Sequence, residues 1–237
     1  MTSLPITYAV VPAAGCGRRF GGTVKKQFLP LADKEVLIHT LAMLASVPAI
    51  RGIFVMTDAA DAAHCTRLLE QYSLTSLCQV YPGGSTRQES VYLGLQRLPS
   101  SCSVVVIHDA ARPLAPASLI EESIRTADDC GGAVAAVPVK DTIKLAGPDG
   151  TILETPTRSL LWSAQTPQAF RAASLRLAYD KAWAAGDFSL TDDSQVMEKY
   201  GTLPVRLIPG CYENIKITTP EDLPLAETIL KNRSQLL

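Results

Sequence analysis

Short apolar segments typical of β-strands alternate with amphipathic segments typical of α-helices along most of this 237-residue chain. Such alternation predicts an α/β fold with a mainly parallel sheet and helices on both of its faces. We predict strands at residues 8–11, 53–57, 77–81, 104–108, 133–139 and 204–208. We predict helices at residues 36–46, 61–71, 86–98, 117–128, 175–185, 192–200 and 220–231. The length and an apolar content of 47% suit one domain that spans residues 1–237.

The loop after the first predicted strand, residues 12–27, has the sequence PAAGCGRRFGGTVKKQ and combines glycines with four cationic side chains. Glycine permits the positive φ and close approach with which backbone N–H groups surround an anion, so this loop is predicted to bind phosphate. The dinucleotide pattern G-x-G-x-x-G fails because Phe20 stands where its third glycine belongs. The P-loop pattern fails because Gly22 is followed by Thr23 and Val24. Neither a hydride-transfer enzyme nor a P-loop ATPase is therefore favoured.

Composition excludes several other classes of protein. A formal net charge of −1 gives no electrostatic basis for binding nucleic acid or a membrane surface. The six cysteines are scattered without a C-x-x-C pair, and with three histidines they support neither a zinc site nor a disulfide framework. No apolar run approaches the ~18 residues of a membrane span, and the N-terminus does not resemble a signal peptide. We therefore expect a cytoplasmic protein that binds neither nucleic acid nor membrane.

A β-hairpin is predicted where the alternation is interrupted, at residues 142–154, whose sequence is TIKLAGPDGTILE. Two short strands flank the turn residues GPDG. An isolated two-stranded hairpin is only marginally stable in water, so this one is expected to pack on another surface. The residues leave two alternatives open, an edge hairpin on its own domain and an arm that reaches a second subunit.

Residues that come directly after the strands are the first candidates for chemistry, because ligands of open α/β sheets bind beyond the carboxyl ends of the strands. The third predicted strand leads into PGGSTRQES, a glycine turn before a helix whose N-terminus can face an anion or the edge of a base. The fourth ends in HDAARP, which contains His108, Asp109 and Arg112. Because magnesium bound to phosphates needs one or two carboxylates, Asp109 is a candidate magnesium ligand.

Three side chains near these motifs also have a structural interpretation. Arg18 can be a solvated surface arginine, although Arg19 beside it in a glycine loop favours a bound anion. Lys25 is expected to be solvated. His108 has no histidine or cysteine close by in the sequence, so we expect a structural hydrogen bond from it and no metal ligation.

The same alternative applies to the remaining candidates. Asp109 and Arg112 can form a simple salt bridge. Lys216 can be an ordinary strand lysine, and Thr191 can be a helix N-cap. A G-x-S-x-G motif is lacking from the sequence, which argues against an esterase-type catalytic triad.

The chain contains in order the segments VVPAAGCGRRF, KKQFLPL, PGGSTRQESV, VIHDAARP, PVKDTIK, LLWSAQTPQAF, TDDS and NIKITTPEDLPLAE. Together they resemble the 2-C-methyl-D-erythritol 4-phosphate cytidylyltransferases of isoprenoid synthesis, over nearly the whole length. The ribitol-5-phosphate cytidylyltransferases look similar at KQFLPL, QTPQ and NIKITTP, but usually have a different phosphate loop and a serine–valine version of HDAARP. Ala110, Ala111 and the Arg18–Arg19 pair therefore favour the methylerythritol family. Lys25 departs from that family, which commonly has proline there.

The resemblance implies a mainly parallel, Rossmann-like nucleotidyltransferase sheet flanked by helices, with a protruding β-hairpin arm at residues 142–158 that helps to form a homodimer. The implied reaction transfers CMP from CTP to the acceptor phosphate and releases pyrophosphate, with Mg²⁺ as the divalent cation. Because two anions must meet, catalysis is expected to depend on cations and positioning, without a nucleophilic side chain.

The resemblance also implies a role for individual residues. Arg19 and Lys26 would stabilise the five-coordinate phosphorus, and Asp109 would hold the metal. CTP would be bound by Pro12, Ala13, Ala14, Gly15, Gly17, Arg18, Gly83, Gly84, Ser90 and Ala110. The sugar phosphate would be positioned by Asp109, Arg112, Thr142, Arg158, Thr191 and Lys216, with Thr142 and Arg158 supplied by the arm of a second subunit.

Other functions stay open at this point. Ribitol phosphate is an alternative acceptor, because the sequence does not identify the sugar. A non-catalytic nucleotide-binding sensor would keep the glycine loop, although the presence of both Arg19 and Lys26 counts against it. A purely structural or interaction protein would have no need of cations among glycines.

Overall fold

The computed structural model describes residues 4–15 and 25–235. The strands in these ranges are β1 (Thr7–Pro12), β2 (Pro30–Leu31), β3 (Lys34–Glu35), β4 (Ile50–Thr57), β5 (Cys78–Pro82), β6 (Val104–Ile107), β7 (Gly132–Pro138), β8 (Leu145–Ala146), β9 (Ile152–Glu154), β10 (Trp162–Arg171) and β11 (Val205–Pro209). The helices are α1 (Val36–Ala45), α2 (Ala59–Gln71), α3 (Arg87–Arg97), α4 (Ala117–Cys130), α5 (Ala172–Ala184), α6 (Asp193–Tyr200) and α7 (Asp222–Ser234). Each strand and helix predicted from the sequence is present, with ends that differ by a few residues.

Seven strands form one sheet in the order β11-β7-β10-β6-β1-β4-β5. All neighbouring pairs are parallel except those of β10, which runs antiparallel to both β6 and β7. The predicted α/β class with a mainly parallel sheet is therefore confirmed. The strand β10 was not predicted, because its polar residues and Pro167 do not form the apolar or alternating pattern of a central strand.

The core lies on both faces of the sheet, because successive strand residues point to opposite sides. On one face, Ala9 and Val11 of β1 belong to a buried cluster with apolar residues of α1, α2 and α4. On the other face, Val10 belongs to a cluster with residues of α3, α5 and α6. This two-sided burial explains why the four residues of β6 are all apolar and all buried.

The strand β10 is irregular where it reaches the carboxyl edge of the parallel strands. Its pairing with β7 moves from Ala164 opposite Ala136 to Gln168 opposite Val134, so β10 has extra residues between these two pairs. Such bulges redirect side chains away from the regular ladder. We call residues 165–168 the QTPQ segment, because its side chains contact several parts of the candidate site.

The predicted hairpin is present as β8 and β9, which pair antiparallel around a turn that contains Gly150 at a φ of 82°. Its apolar side chains are exposed, with Leu145 at 50%, Ile152 at 60% and Leu153 at 70%. We call residues 142–158 the arm. The helices in the described parts of the chain lack the length and apolar character that a bilayer crossing demands.

Candidate active site at the carboxyl edge of the sheet

A cavity of about 570 Å³ opens where β1, β5 and β6 end. This volume falls in the range of small-molecule sites, and the position is where open α/β sheets bind their ligands. The cavity is lined by Pro12, Ala13, Ala14, Gly15, Lys26, Gln27, Asp58, Gly84, Ser85, Thr86, Arg87, Ser90, Asp109, Ala110, Ala111 and Lys216. It is therefore bordered by three of the segments that the sequence singled out, together with the lysine of NIKITTP.

Most described residues predicted for CTP, catalysis or metal line this cavity, namely Pro12, Ala13, Ala14, Gly15, Lys26, Gly84, Ser90, Asp109 and Ala110. Lys216, predicted to position the sugar phosphate, lines it as well. Gly83 and Arg112 lie directly behind the lining, in contact with Ser90 and Asp109 respectively. Gly17, Arg18 and Arg19 lie outside the described residues. The geometry thus brings one set of candidates together, while their chemical roles stay predictions.

Both ends of the glycine loop are fixed at the cavity. On the incoming side, the backbone N–H of Ala13 donates to Met56 O at 2.7 Å. On the returning side, the amide of buried Gln27 donates to Ala13 O at 2.6 Å. Lys25 forms ion pairs with Asp58 and with Asp61, the latter at 2.6 Å. The expectation that Lys25 is solvated was therefore wrong, because these carboxylates at the start of α2 lie next to the loop.

The turn after β5 closes tightly against the loop after β1. The N–H of Gly84 donates to Ser90 Oγ at 3.0 Å, and the Ser90 hydroxyl donates to Thr86 O at 2.9 Å. A Cβ at Gly83 would lie 2.9 Å from Ala14 Cβ and 3.0 Å from Ser90 Oγ. Only glycine therefore allows this approach, which gives the cavity a wall of backbone polar groups.

The carboxylate of Asp109 is surrounded by cations. Its Oδ1 accepts from Arg87 Nε at 3.0 Å, and its Oδ2 accepts from Lys216 Nζ at 2.6 Å. Arg112 Nε is 4.0 Å from Oδ2, and the N–H of Asp109 donates to Thr166 Oγ1 at 3.0 Å. We call Arg87, Asp109, Arg112, Thr166 and Lys216 the Asp109 cluster. Burial alone would raise the pKa of Asp109, but Arg87, Lys216 and Arg112 outweigh burial and hold that pKa well below its usual range.

This cluster decides one alternative left open by the sequence. A simple Asp109–Arg112 salt bridge was the structural interpretation, but Arg112 is the most distant of the three cations. The guanidinium of Arg112 instead donates from Nη1 to Asn214 O at 2.6 Å. The two closer partners, Arg87 and Lys216, both line the cavity. Asp109 therefore forms its closest ion pairs with two residues of the cavity lining.

Arg87 is the functional candidate that sequence reasoning missed. Besides Asp109, it contacts fully buried Asp193, whose Oδ2 accepts from Arg87 Nη2 at 2.7 Å. The Tyr179 hydroxyl donates to the other oxygen of Asp193 at 2.6 Å. Arg87 and Asp193 stand in the motifs PGGSTRQES and TDDS, but their separation of 106 residues gave no signal that they meet.

The QTPQ segment is hydrogen-bonded to two segments that border the site. Thr166 accepts from the backbone of Asp109. Gln168 donates to Asp192 Oδ2 at 2.8 Å and accepts from the N–H of Ser194 at 3.0 Å. The loop after β6 and the start of α6 are therefore both attached to the irregular part of β10.

The same segment also holds the loop that precedes Lys216. Gln165 donates to Cys211 O at 3.0 Å. The amide of fully buried Asn214 donates to Thr166 O at 2.9 Å and to Gln165 Oε1 at 3.1 Å. Buried polar groups that satisfy one another in this way rigidify their surroundings, so Lys216 is attached to a firmly held backbone.

His108 is completely buried and has a structural hydrogen bond, as expected from the sequence. Its Nε2 lies 3.1 Å from Arg112 O. Burial lowers the pKa of His108 to about 4, so the ring is neutral at physiological pH. Within the two described ranges, no group of three or more His, Cys, Asp or Glu could hold a metal. A metal here would thus have at most a pair of such side chains, such as Asp109 and Asp58 of the cavity lining, which suits magnesium bound mainly by nucleotide phosphates.

Three predicted positioning residues lie away from the cavity in a single chain. Thr191 is exposed before α6 and is not its N-cap, because Asp192 takes that position and accepts from the N–H of Gln195 at 2.9 Å. Thr142 and Arg158 are exposed on the arm, and Arg158 Nη1 donates to Lys140 O at 3.1 Å.

Comparison with known proteins gives one consistent family. A family model described as IspD, 2-C-methyl-D-erythritol 4-phosphate cytidylyltransferase, matches residues 7–232. The cytidylyltransferase of that name from Desulforamulus reducens is 45% identical over 227 residues, which cover 95% of this chain and 96% of the relative. The one from Syntrophotalea carbinolica is 48% identical over 225 residues, which cover 94% and 95%. The crystal structure of 4-diphosphocytidyl-2C-methyl-D-erythritol synthase from Anaerococcus prevotii is similar with a TM-score of 0.84 and 31% identity, over 96% of each chain.

Proposed function

This chain belongs to the family of 2-C-methyl-D-erythritol 4-phosphate cytidylyltransferases, and we propose that its cavity of about 570 Å³ is the active site for that family's reaction. The enzyme transfers CMP from CTP to 2-C-methyl-D-erythritol 4-phosphate, giving 4-diphosphocytidyl-2-C-methyl-D-erythritol and pyrophosphate in non-mevalonate isoprenoid biosynthesis. The family favours this acceptor over ribitol phosphate, and an enzyme over a non-catalytic sensor. The observation that carries the site assignment is that Lys26, Arg87, Asp109 and Lys216 share one cavity with two glycine turns.

The chemistry requires two anions to approach each other. An oxygen of the acceptor phosphate forms a bond to the α-phosphorus of CTP, while the bond from that phosphorus to the leaving pyrophosphate breaks and its electron pair leaves with pyrophosphate. Two like unit charges at ~4 Å repel by about 4 kcal/mol at an effective dielectric of ~20. Fixed cations must therefore provide most of the catalysis.

Lys26 and Arg19 are the proposed catalytic cations. Lys26 lines the cavity at the returning end of the glycine loop, next to Gln27, which is hydrogen-bonded to Ala13. A cation held there can stabilise the negative charge that increases on the five-coordinate phosphorus. Arg19 stands in the same loop and is proposed for the same charge from its sequence position.

CTP binding is assigned to the two loops that meet at Gly83. The backbone N–H groups that follow β1 in the glycine loop, residues 13–17, would surround the triphosphate. Gly83, Gly84 and Ser90 would contact the cytosine, because their backbone and hydroxyl groups form one wall of the cavity. The assigned residues are Pro12, Ala13, Ala14, Gly15, Gly17, Arg18, Gly83, Gly84, Ser90 and Ala110.

Asp109 is the proposed magnesium ligand. It is an ionised oxygen donor on the cavity surface, which is the donor type that magnesium prefers. Bound there with CTP, magnesium would neutralise phosphate charge and help to orient the triphosphate. Lys216 contacts the Oδ2 atom of the same carboxylate, so it lies within reach of an anion bound beside Asp109.

The acceptor phosphate is assigned to Arg112, Thr191 and Lys216 of one chain, with Asp109, and to Thr142 and Arg158 of a second. We propose a homodimer in which the arm, residues 142–158, supplies these last two residues to its neighbour. Exposed leucine and isoleucine side chains on the arm support this assembly, because a hairpin needs burial to be stable. We also propose one nucleotidyltransferase domain over residues 1–237 that works in the cytoplasm, where free cysteines stay reduced.

The acceptor is tested by measuring pyrophosphate release with CTP and either sugar phosphate. A site that hydrogen-bonds particular hydroxyls rejects analogues that lack them. We expect kcat/KM with methylerythritol phosphate to be at least ~100-fold above that with ribitol phosphate, a gap of about 2.7 kcal/mol in transition-state stabilisation. Equal or reversed preference would assign the enzyme to ribitol phosphate instead.

A further inference from the structure

Arg87 joins two carboxylates that come from different parts of the sheet. It is the first residue of α3, and its Nε and Nη2 donate to Asp109 and Asp193 at 3.0 and 2.7 Å. Both acceptors are buried, and Asp193 is fully enclosed with Tyr179 on its other oxygen. Arg87 therefore connects the cavity lining at Asp109 to the buried start of α6.

The two oxygens of Asp109 have different partners, and this fixes how the carboxylate is turned. Oδ1 is held by Arg87, whereas Oδ2 contacts Lys216 and has Arg112 4.0 Å away. The guanidinium fork is planar and rigid, and its other branch is held by Asp193. A rotation of the Asp109 carboxylate would have to break the bond to an arginine that cannot move with it.

We propose that Arg87 is a positioning residue that fixes the carboxylate of Asp109 for the metal and nucleotide. This inference rests on the proposal that Asp109 binds magnesium. Burial alone would lower the pKa of Arg87, but Asp193 and Asp109 more than offset burial and keep the guanidinium charged. Partners that orient a metal ligand from the second layer typically change metal affinity or activity by about 10- to 100-fold.

Lysine cannot replace this arginine, although it keeps the positive charge. An ammonium is a point charge on a flexible chain and has no fork to span two carboxylates that belong to different elements. Arg87→Lys thus preserves a cation beside Asp193 while releasing the orientation of Asp109. It is the most informative substitution, because its effect on folding is smaller than that of a neutral replacement.

The test measures CTP affinity by calorimetry with and without Mg²⁺, in the absence of acceptor, so that turnover does not contribute. We compare wild type, Arg87→Lys, Asp109→Asn and the double variant. Arg87→Lys is expected to reduce the Mg²⁺-dependent gain in CTP affinity by about 10-fold. The double variant is expected to be no weaker than Asp109→Asn alone, because residues that act through one another are not additive.

Tyr179→Phe is the matched control. It removes one hydrogen bond from Asp193 and leaves the Arg87–Asp109 contact in place. We expect a lower Tm with an unchanged Mg²⁺-dependent gain. A control that reproduces the Arg87→Lys loss would overturn the inference, because general loosening would then explain both.

The remaining outcomes distinguish a failure of the Arg87 inference from a failure of the proposal that Asp109 binds magnesium. Arg87→Lys with an unchanged Mg²⁺-dependent gain, next to a weakened Asp109→Asn, overturns the role of Arg87 alone. Additive losses in the double variant also overturn it, because Arg87 would then act on the nucleotide directly. An Asp109→Asn protein with wild-type behaviour overturns both assignments.

Discussion

The Asp109 cluster and the arm both carry residues proposed for the acceptor phosphate, yet they are held in opposite ways. The carboxylate of Asp109 accepts from Arg87 of α3 and from Lys216, and its backbone N–H donates to Thr166 of the QTPQ segment. Arg158, in contrast, donates to the backbone of Lys140, two residues before the arm, and the leucine and isoleucine side chains of the arm are exposed.

The difference indicates what a single chain can supply. Groups in the cluster are oriented by buried polar contacts, so that part of the site is already organised before a ligand binds. The arm gains little from its own chain, because an exposed hairpin buries too few apolar atoms to be rigid. We therefore propose that one chain builds the nucleotide-binding part of the site, whereas the arm acquires its proposed function from a surface that it contacts.

The largest expected effect is a difference in kcat between two variants, one lacking a lysine of the cavity and the other a lysine of the arm. Lys26→Ala should reduce kcat by about 10²- to 10³-fold, because it removes a fixed charge-stabilising donor. The melting curve should change little. The matched control is Lys144→Ala on the arm, where the ammonium donates to the hydroxyl of Thr155 at 2.7 Å. If both lysines can be removed with similar turnover, Lys26 is not catalytic.

The second effect concerns the arm itself. Replacing residues 142–154 with a short glycine linker should give monomers in sedimentation and lower kcat/KM by about 10- to 100-fold, because misplaced positioning groups have costs of this order. The sheet should keep its Tm. Arg158→Ala is the companion variant, and it should lose activity while remaining dimeric. A shortened protein that is dimeric and active would contradict the proposed arm.

The last effect leaves turnover aside and is a pH dependence of stability that arises from the region of the cluster. His108 has its pKa lowered to about 4 by burial, so above ~6.5 it is neutral in both the folded and the unfolded chain. As the pH falls from ~6.5 towards 4, only the unfolded chain takes up the proton, and the free energy of unfolding should drop by roughly 3 kcal/mol. The lowered pKa of Asp109 acts in a separate window below 3.8.

Urea unfolding between pH 7 and pH 4.5 measures this loss. The variant His108→Gln should show a shallower fall, because glutamine does not titrate, while the arm-replacement variant should match the wild type. A wild-type profile that stays flat over this range would show that the His108 ring is not buried.

The comparison also shows what the sequence could predict. The strands around the cavity and the seven α-helices of the described residues were predicted, because their burial on two faces produces apolar runs and periodic patterns. The strand β10 escaped prediction because the polar QTPQ segment satisfies tertiary contacts with Asp109, Asp192 and Asn214, which leave no local pattern. Lys25 was wrongly expected to be solvated for the same reason, since Asp58 and Asp61 belong to another element.

Site residues show the same division. Asp109, Lys26 and the glycine turns stand in the segments directly after strands, where chemistry is expected, and these residues do line the cavity. Arg87 was not predicted as a site residue, because the contact that indicates its role is with Asp193, on a helix distant in the sequence. Local sequence predicts which groups face the ligand, and long-range polar pairing decides how they are oriented.

The antiparallel pairing of β7 with β10 has a consequence for how this enzyme can change over evolutionary time. Pro138 at the end of β7 pairs with Trp162 at the start of β10, so the chain leaves and re-enters the sheet at neighbouring positions. Two antiparallel neighbours can be joined by as few as two residues. Residues 139–161 are therefore an inserted module, and closing a longer or shorter insert at this point costs little free energy. In the homodimer proposed above, changes in this insert would alter subunit recognition and acceptor positioning, while the sheet that carries the proposed site keeps its register.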